Sequence, residues 1–396
     1  MMNTSHMTFT QLLKNIKFVG LIIATLLSCT QNTKQYVKKT SIIEGKDKII
    51  QLDTESSFEL LSLQLKEKEN ILLTLDAIKN NINIFEWNNG ELIEKIPLNI
   101  DEKNIIYNPT RFFYHNRDSI FVVDFGENIK LINKKGEIID EFLIGEIKSK
   151  NNEYSGIFGY TQIGNNKNFL FKQNKIFYPT EHLSSEYKRL GIYNINSETL
   201  NEIIEPPYSI QNLFENDFVD FWYDLDESTN SLYLSFPLTN SIYKYNLNKN
   251  SMEGLHTPIL NHQFENHYKP IYNDIRYSNL EPNRISNILN KINSLSRYTS
   301  IILTENFIVR LFIHQSNQTE AKARNFTIYI FSKNGELLGE KYFQNPTLDN
   351  DILLVSASED FIFSKRDTLF IPYIKSKPDE NKITFKSFTI SRNTNN

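Results

Sequence analysis

Apolar positions fall into two unequal patterns along this chain. One is a single run from Phe18 to Leu27, interrupted only by Thr25. The other fills nearly everything after residue 42: short runs rich in Ile, Leu, Phe and Tyr, punctuated by clusters of Asn, Lys, Asp and Gly. That is the pattern of strands and turns. One phrase, a turn followed by apolar and aromatic residues, recurs as "ENILLTLDA" at 69, "RDSIFVVDF" at 117, "NKIFYPT" at 174, "NSLYLSFPL" at 230, "NFIVRLFIH" at 306 and "RDTLFIPYI" at 366. Its first aliphatic residues are Ile71, Ile120, Ile176, Leu232, Ile308 and Leu369. A second phrase trails several of these anchors: "WNNGELIEK" from Trp87, "NKKGEIIDE" from Asn133 and "SKNGELLGE" from Ser332. Asn-Gly and Lys-Gly before alternating residues signal tight hairpins, since glycine supplies positive φ. "NINSETLNE" at 194 and "NLNKNSMEG" at 246 are degenerate versions.

Four strands per unit, repeated six times at intervals of roughly 50–60 residues, predict an all-β, six-bladed β-propeller. Seven blades are the alternative if residues 45–65 form a complete blade; otherwise they supply an outer strand to the last blade and close the ring. A single sandwich is too small for this length, and a parallel β/α fold needs helices that most intervals lack. The interval from Leu232 to Ile308 is too long. Within it, residues 280–297 carry Ile285, Ile288, Leu289, Ile292 and Leu295 at helical spacing, which predicts one short helical insertion. Asparagine makes up about an eighth of the chain, an abundance that reads as compositional bias at positions where any turn-former would serve.

The Phe18–Leu27 run covers roughly 15 Å as a helix, about half a bilayer core. Lys14 and Lys17 precede it without an acidic residue, and the small Ser28 follows, the layout of a secretory signal. Leu26-Leu27-Ser28-Cys29 resembles the bacterial lipobox, which implies cleavage before Cys29 and lipid transfer to the only thiol in the chain. The expected organisation is therefore a signal peptide over residues 1–28, a lipidated Cys29 with a flexible tether over 29–42, and the propeller over 43–396. Thr30 and the absence of an acidic cluster in the tether point to the outer membrane, facing the periplasm.

With a net charge of −4 and no run of five basic residues, nucleic acid is disfavoured as a partner. A P-loop, His-Glu-x-x-His and Gly-x-Ser-x-Gly are all absent from the sequence. His262 and His267 flank Glu265 at a spacing that suits neither one helix face nor one strand face, so no metal or other cofactor is assigned. Asp224, Asp226 and Ser228 match the first positions of a calcium loop, but Thr229 and Ser235 replace its glycine and its glutamate; an ordinary Asp/Ser turn accounts for them. Phe221, Trp222 and Tyr223 could form a sugar platform, although packing between blades consumes such residues by default.

The lipobox, the polar tether and six degenerate blades with Asn-Gly-Glu hairpins resemble the TolB-like six-bladed propeller lipoproteins of Bacteroidota, in an uncharacterised family. "HYKPIYNDIRYS" at 267–278 is similar to a stretch of that family at Tyr268, Pro270, Ile271, Asp274 and Arg276, departing by the extra Asn273. The resemblance implies a fold and an envelope location, and brings no activity. The expected function is a binding or scaffolding role for a protein or glycan partner, without catalytic residues assigned. A propeller-type hydrolase or lyase with its site at the central channel is the alternative. Two carboxylates or a His-carboxylate cluster at the channel mouth would favour the enzyme. In the long interval, His262, His267, Tyr268, Asp274 and Arg276 are the candidate partner-binding residues.

Overall fold

The computed structural model describes residues 39–57, 62–76, 78–124, 128–142, 170–179, 190–203, 221–237, 239–255, 296–315, 324–344, 352–353, 361–374 and 381–393. All of these belong to one compact unit, Lys39–Asn396. The unit is a six-bladed β-propeller: six small antiparallel sheets in a ring, with no helix among the described residues.

Two strands at the start of the unit, β1 (Thr40–Glu44) and β2 (Lys48–Gln51), belong to the last blade. Blade 1 runs β3 (Ser62–Lys66), β4 (Ile71–Asp76), β5 (Asn81–Glu86), β6 (Leu92–Pro97). Blade 2 is β7 (Arg111–Asn116), β8 (Ser119–Val123), β9 (Ile129–Ile132), β10 (Ile138–Phe142). Blade 3 is β11 (Leu170–Lys172), β12 (Lys175–Pro179), β13 (Leu190–Asn194), β14 (Thr199–Ile203). Blade 4 is β15 (Trp222–Asp226), β16 (Ser231–Ser235), β17 (Ile242–Asn246), β18 (Ser251–Leu255). Blade 5 is β19 (Arg297–Leu303), β20 (Ile308–Ile313), β21 (Phe326–Phe331), β22 (Leu337–Phe343). Blade 6 gathers β23 (Ile352–Leu353), β24 (Phe363–Lys365), β25 (Thr368–Ile374) and β26 (Lys382–Arg392) with β1 and β2.

Every anchor found in the sequence lies on the second strand of its blade: Ile71, Ile120, Ile176, Leu232, Ile308 and Leu369 on β4, β8, β12, β16, β20 and β25. Second strands are pressed between neighbouring blades, so β4, β16 and β20 are buried at every residue. Burial on both faces makes them read as continuous apolar runs instead of alternating ones. At the outer edge β18 is almost wholly exposed. The first strands of successive blades touch where they can be followed, β3 against β7, β7 against β11, β15 against β19 and β19 against β24, and so surround the central channel.

The core is divided into sectors between blades. One cluster joins blades 1 and 2 through residues such as Leu73, Ile84, Phe112 and Ile120. Others join blades 2 and 3 around Phe121 and Tyr193, blades 3, 4 and 5 around Tyr223 and Phe312, and blades 5 and 6 around Val309 and Ile371. The last sector closes the ring, packing Trp87 and Phe85 of blade 1 on Phe363, Phe370 and Phe385 of blade 6.

Closure departs from the expectation in detail. The outer strands of blade 6 are β1 and β2, paired to β26 with Thr40 opposite Arg392 and Lys48 opposite Phe385. Thus 45–65 is split: β2 closes the last blade, whereas β3 is the innermost strand of blade 1. With six sheets, the seven-blade alternative is overturned. β1 also begins within the stretch read as tether, because a pairing partner more than 340 residues away turns a polar-flanked "TSIIE" into a ladder. The predicted helix over 280–297 falls almost entirely outside the described residues, which resume at Ser296.

Turn chemistry is more specific than the compositional reading allowed. Gly90, Gly136 and Gly335 have φ of 80°, 81° and 86°, as the hairpin phrase requires. Among the described residues nine non-glycine positions also have positive φ, and six of them are asparagines: Asn70, Asn80, Asn108, Asn174, Asn230 and Asn250. Asparagine tolerates the left-handed region better than most residues, so these positions are not interchangeable turn-formers.

Candidate functional site at the channel mouth

In an antiparallel four-stranded blade, the turn joining the first two strands and the turn joining the last two lie at the same end. A cavity of about 710 Å³ opens at that end of the ring. Its walls come from the first turns of blades 1, 4, 5 and 6, together with the last turn of blade 5. Blades 1 and 4 face each other across a six-membered ring, so the cavity straddles the channel axis.

Its lining is charged with both signs. Glu67, Asp226, Glu227 and Glu305 supply carboxylates; Lys244, Lys333 and Arg366 supply cations. Ser228, Thr229, Thr304, Ser364 and Asn334 add neutral polar groups. Among the described residues the apolar lining is Leu225, Leu303 and Tyr233, and Tyr233 is only 1% exposed.

The turns are braced by hydrogen bonds that fix part of this lining. Asp226 Oδ1 accepts from the Ser228 hydroxyl at 2.6 Å and backbone N–H at 3.0 Å, closing its own turn. Asp224 Oδ2 accepts from the Leu303 N–H at 2.8 Å, tying blade 4 to blade 5. Asp367 ties blade 6 to blade 5, accepting from the Thr304 hydroxyl at 2.8 Å and the Asn306 N–H at 2.9 Å. The aspartates of the partial calcium pattern therefore serve as turn and inter-blade braces. Lys333 donates to the Thr304 carbonyl at 2.9 Å, and the Tyr233 hydroxyl donates to the Lys333 carbonyl at 3.3 Å.

Electrostatics follow from this packing. Burial alone would raise the Asp226 pKa; hydrogen bonds from Ser228 and the charge of Lys333 overcome it and hold the carboxyl below its usual range. Burial lowers the pKa of Lys333, against the pull of Asp226, Asp224 and Asp367. Tyr233 is pushed up to about 12, by burial first and then by Asp226 and Glu253. The remaining cations and acids are less committed. The side chains of Lys244, Arg366, Glu227 and Glu305 close no hydrogen bond or ion pair among the described residues. Lys244 instead rests 5.7 Å from the Tyr233 ring centroid.

The residues assigned to partner binding from the sequence, His262, His267, Tyr268, Asp274 and Arg276, lie outside the described residues, as does Cys29. His115 and His314 are described, on opposite blades 2 and 5, and neither lines the cavity. Phe221, Trp222 and Tyr223 are core, 4%, 7% and 1% exposed, with Phe221 stacked on Tyr223 at 5.8 Å. Sequence reasoning missed Glu67, Glu227, Glu305, Lys333 and Arg366 as one site. A signal was present: except for Lys333, each lies just before a second-strand anchor, which in a propeller is the channel end of the blade.

The sequence matches no protein-family model and no curated protein. The fold does have solved counterparts. The chain is similar to the crystal structure of a DUF4221 family member from Bacteroides vulgatus, with a TM-score of 0.66 and 18% identity, covering 90% of this chain and 99% of that one. It is also similar to a Bacteroides fragilis protein described only as a predicted exported protein, with a TM-score of 0.51 and 11% identity, covering 91% of this chain and 98% of that one. At such identities the likeness concerns the fold.

Proposed function

We propose that this chain is an envelope lipoprotein, anchored through Cys29 in the outer membrane and facing the periplasm, whose TolB-like propeller binds a partner at the channel mouth. One observation carries the binding reading: a polar cavity across the axis, lined by charged side chains that the fold does not tie up in hydrogen bonds or ion pairs. Glu227 feels the charge of Lys66 from blade 1, whereas Lys244, Arg366 and Glu305 close no ion pair among the described residues. Loops held on a rigid frame carry function more often than the frame itself. The lipobox and the leader pattern support the anchoring, and the predicted export of a structurally similar Bacteroides protein agrees with the location.

The hydrolase or lyase alternative has support as well, because Glu67, Asp226, Glu227 and Glu305 place at the mouth the carboxylates that would favour an enzyme; it ranks second on one ground. It calls for a proton donor in the mouth at neutral pH, and a carboxyl serves that role when its pKa is raised. Asp226 is shifted in the opposite direction.

Recovery from envelope extract by the purified propeller tests the reading, with a Lys244→Glu/Arg366→Glu variant of parental melting temperature as comparator. A partner retained by the parent and lost by the variant is expected. Equal recovery by both places the binding surface elsewhere and overturns the assignment to this cavity.

A further inference from the structure

The unused charges at the channel mouth also restrict what can fill it. Four ligand classes can be weighed against the same lining. A simple anion entering the cavity meets Glu227 and Glu305; a simple cation meets Lys244 and Arg366. Either strands the charges of its own sign in a partly closed space, where their repulsion is less screened than in water. A neutral oligosaccharide leaves Lys244, Arg366 and Glu305 without a counter-charge. Among the described residues it also finds no ring face to stack on, because Tyr233, the one aromatic residue they place in the lining, is 1% exposed and already bears Lys244.

A ligand with a positive and a negative end answers both sets at once. Size adds a second restriction. At about 710 Å³ the cavity lies in the range of drug-sized ligand sites and is larger than a single amino acid needs. The same lining holds Thr229 and Asn334, groups suited to hydrogen bonding with amide N–H and C=O, while the Ser228 and Thr304 hydroxyls are already given to Asp226 and Asp367.

Resting on the binding reading above, we propose that the channel mouth takes a short peptide with free termini, its carboxylate set against Lys244 and Arg366 and its ammonium against Glu227 and Glu305. Both ends contribute, so blocking either one weakens binding. Arg366 can meet the carboxylate with two parallel N–H donors, whereas Lys244 acts as a point charge. The attraction is partly exposed and falls as ionic strength rises.

Calorimetric titration of the full chain with a random-sequence tripeptide mixture bearing free termini tests this, beside the same mixture N-acetylated, the same mixture C-amidated, and maltotriose. Saturable binding of the free mixture is expected, weakened about tenfold or more by either block. Arg366→Gln should reduce the penalty for C-amidation and leave that for N-acetylation unchanged, and Glu305→Gln should do the reverse. Melting temperatures matching the parent establish that both variants fold. Equal affinity for free and blocked peptides, or no binding of the free mixture, overturns the peptide assignment. Binding of maltotriose that the cavity variants weaken would also overturn it, while leaving the channel mouth standing as a binding site.

Discussion

Gly136 offers the sharpest test of how the blades are joined. It sits in the hairpin between β9 and β10 with φ at +81°, and a Cβ built on it would collide with the carbonyl oxygen of Pro97 on the outer strand of blade 1. The Ile100 side chain would stand 3.1 Å away. Gly136→Ala therefore meets two separate costs. Holding a residue with a Cβ in the left-handed region costs about 1–2 kcal/mol. Displacing a neighbouring backbone to make room costs about 1–3 kcal/mol on the scale of overpacked cores. Reduced freedom of the unfolded chain returns about 0.4–1 kcal/mol. The expected net loss is about 2–4 kcal/mol, a fall in melting temperature of about 3–5 °C for a domain this large. Gly254→Ala on β18 is the matched control: its nearest neighbours are Tyr243 ring carbons at 3.7 and 3.9 Å, and its φ is not in the left-handed region. It should be neutral or slightly stabilising. Urea unfolding followed by fluorescence gives both values from the midpoint at constant slope. A Gly136→Ala variant within about 0.5 kcal/mol of the parent would refute the close approach of blades 1 and 2 drawn here.

Three further outcomes are expected. Arg310 is fully buried, stacked 3.5 Å from the Tyr298 centroid, and donates to Ser235 Oγ and the carbonyls of Phe236, Thr239 and Asn240; burial lowers its pKa to about 10. Arg310→Met strands those acceptors between blades 4 and 5 and should cost at least about 4 kcal/mol in urea unfolding, from about 1–3 kcal/mol for each of the four; a loss under about 1 kcal/mol contradicts this bracing. His314 is held below its ordinary pKa by burial first and by Arg324 second, so the unfolded chain takes up its proton more readily. Its contribution is present above the unfolded value near 6.5 and is lost as pH falls below it; His314→Gln should flatten the drop in melting temperature between about pH 6.5 and 5, and an unaltered profile would place the proton uptake elsewhere. Cys29→Ala should abolish labelling by radioactive palmitate, and globomycin should cause the parent's precursor to accumulate; labelling that persists in the variant excludes Cys29 as the anchor.

Much of the architecture was legible in the chain because its causes are local. Ile71, Ile120, Ile176, Leu232, Ile308 and Leu369 mark second strands, since a strand buried on both faces is apolar at most of its positions and admits a polar group such as Arg310 only where that group is hydrogen-bonded. Gly90, Gly136 and Gly335 mark the last hairpins, since a tight turn demands positive φ within a few residues. From these the blade count followed. Tertiary structure alone decided how the ring closes and where the channel mouth gathers its charges. Nothing in "TSIIE" names Arg392 as the partner of Thr40, because a strand's pattern specifies which face is buried and not which distant edge it joins. Likewise Glu67 and Arg366 stand at opposite ends of the sequence, and each by itself is an ordinary polar turn residue. They line one cavity only because closing the ring brings the first turns of blades 1 and 6 together at the axis.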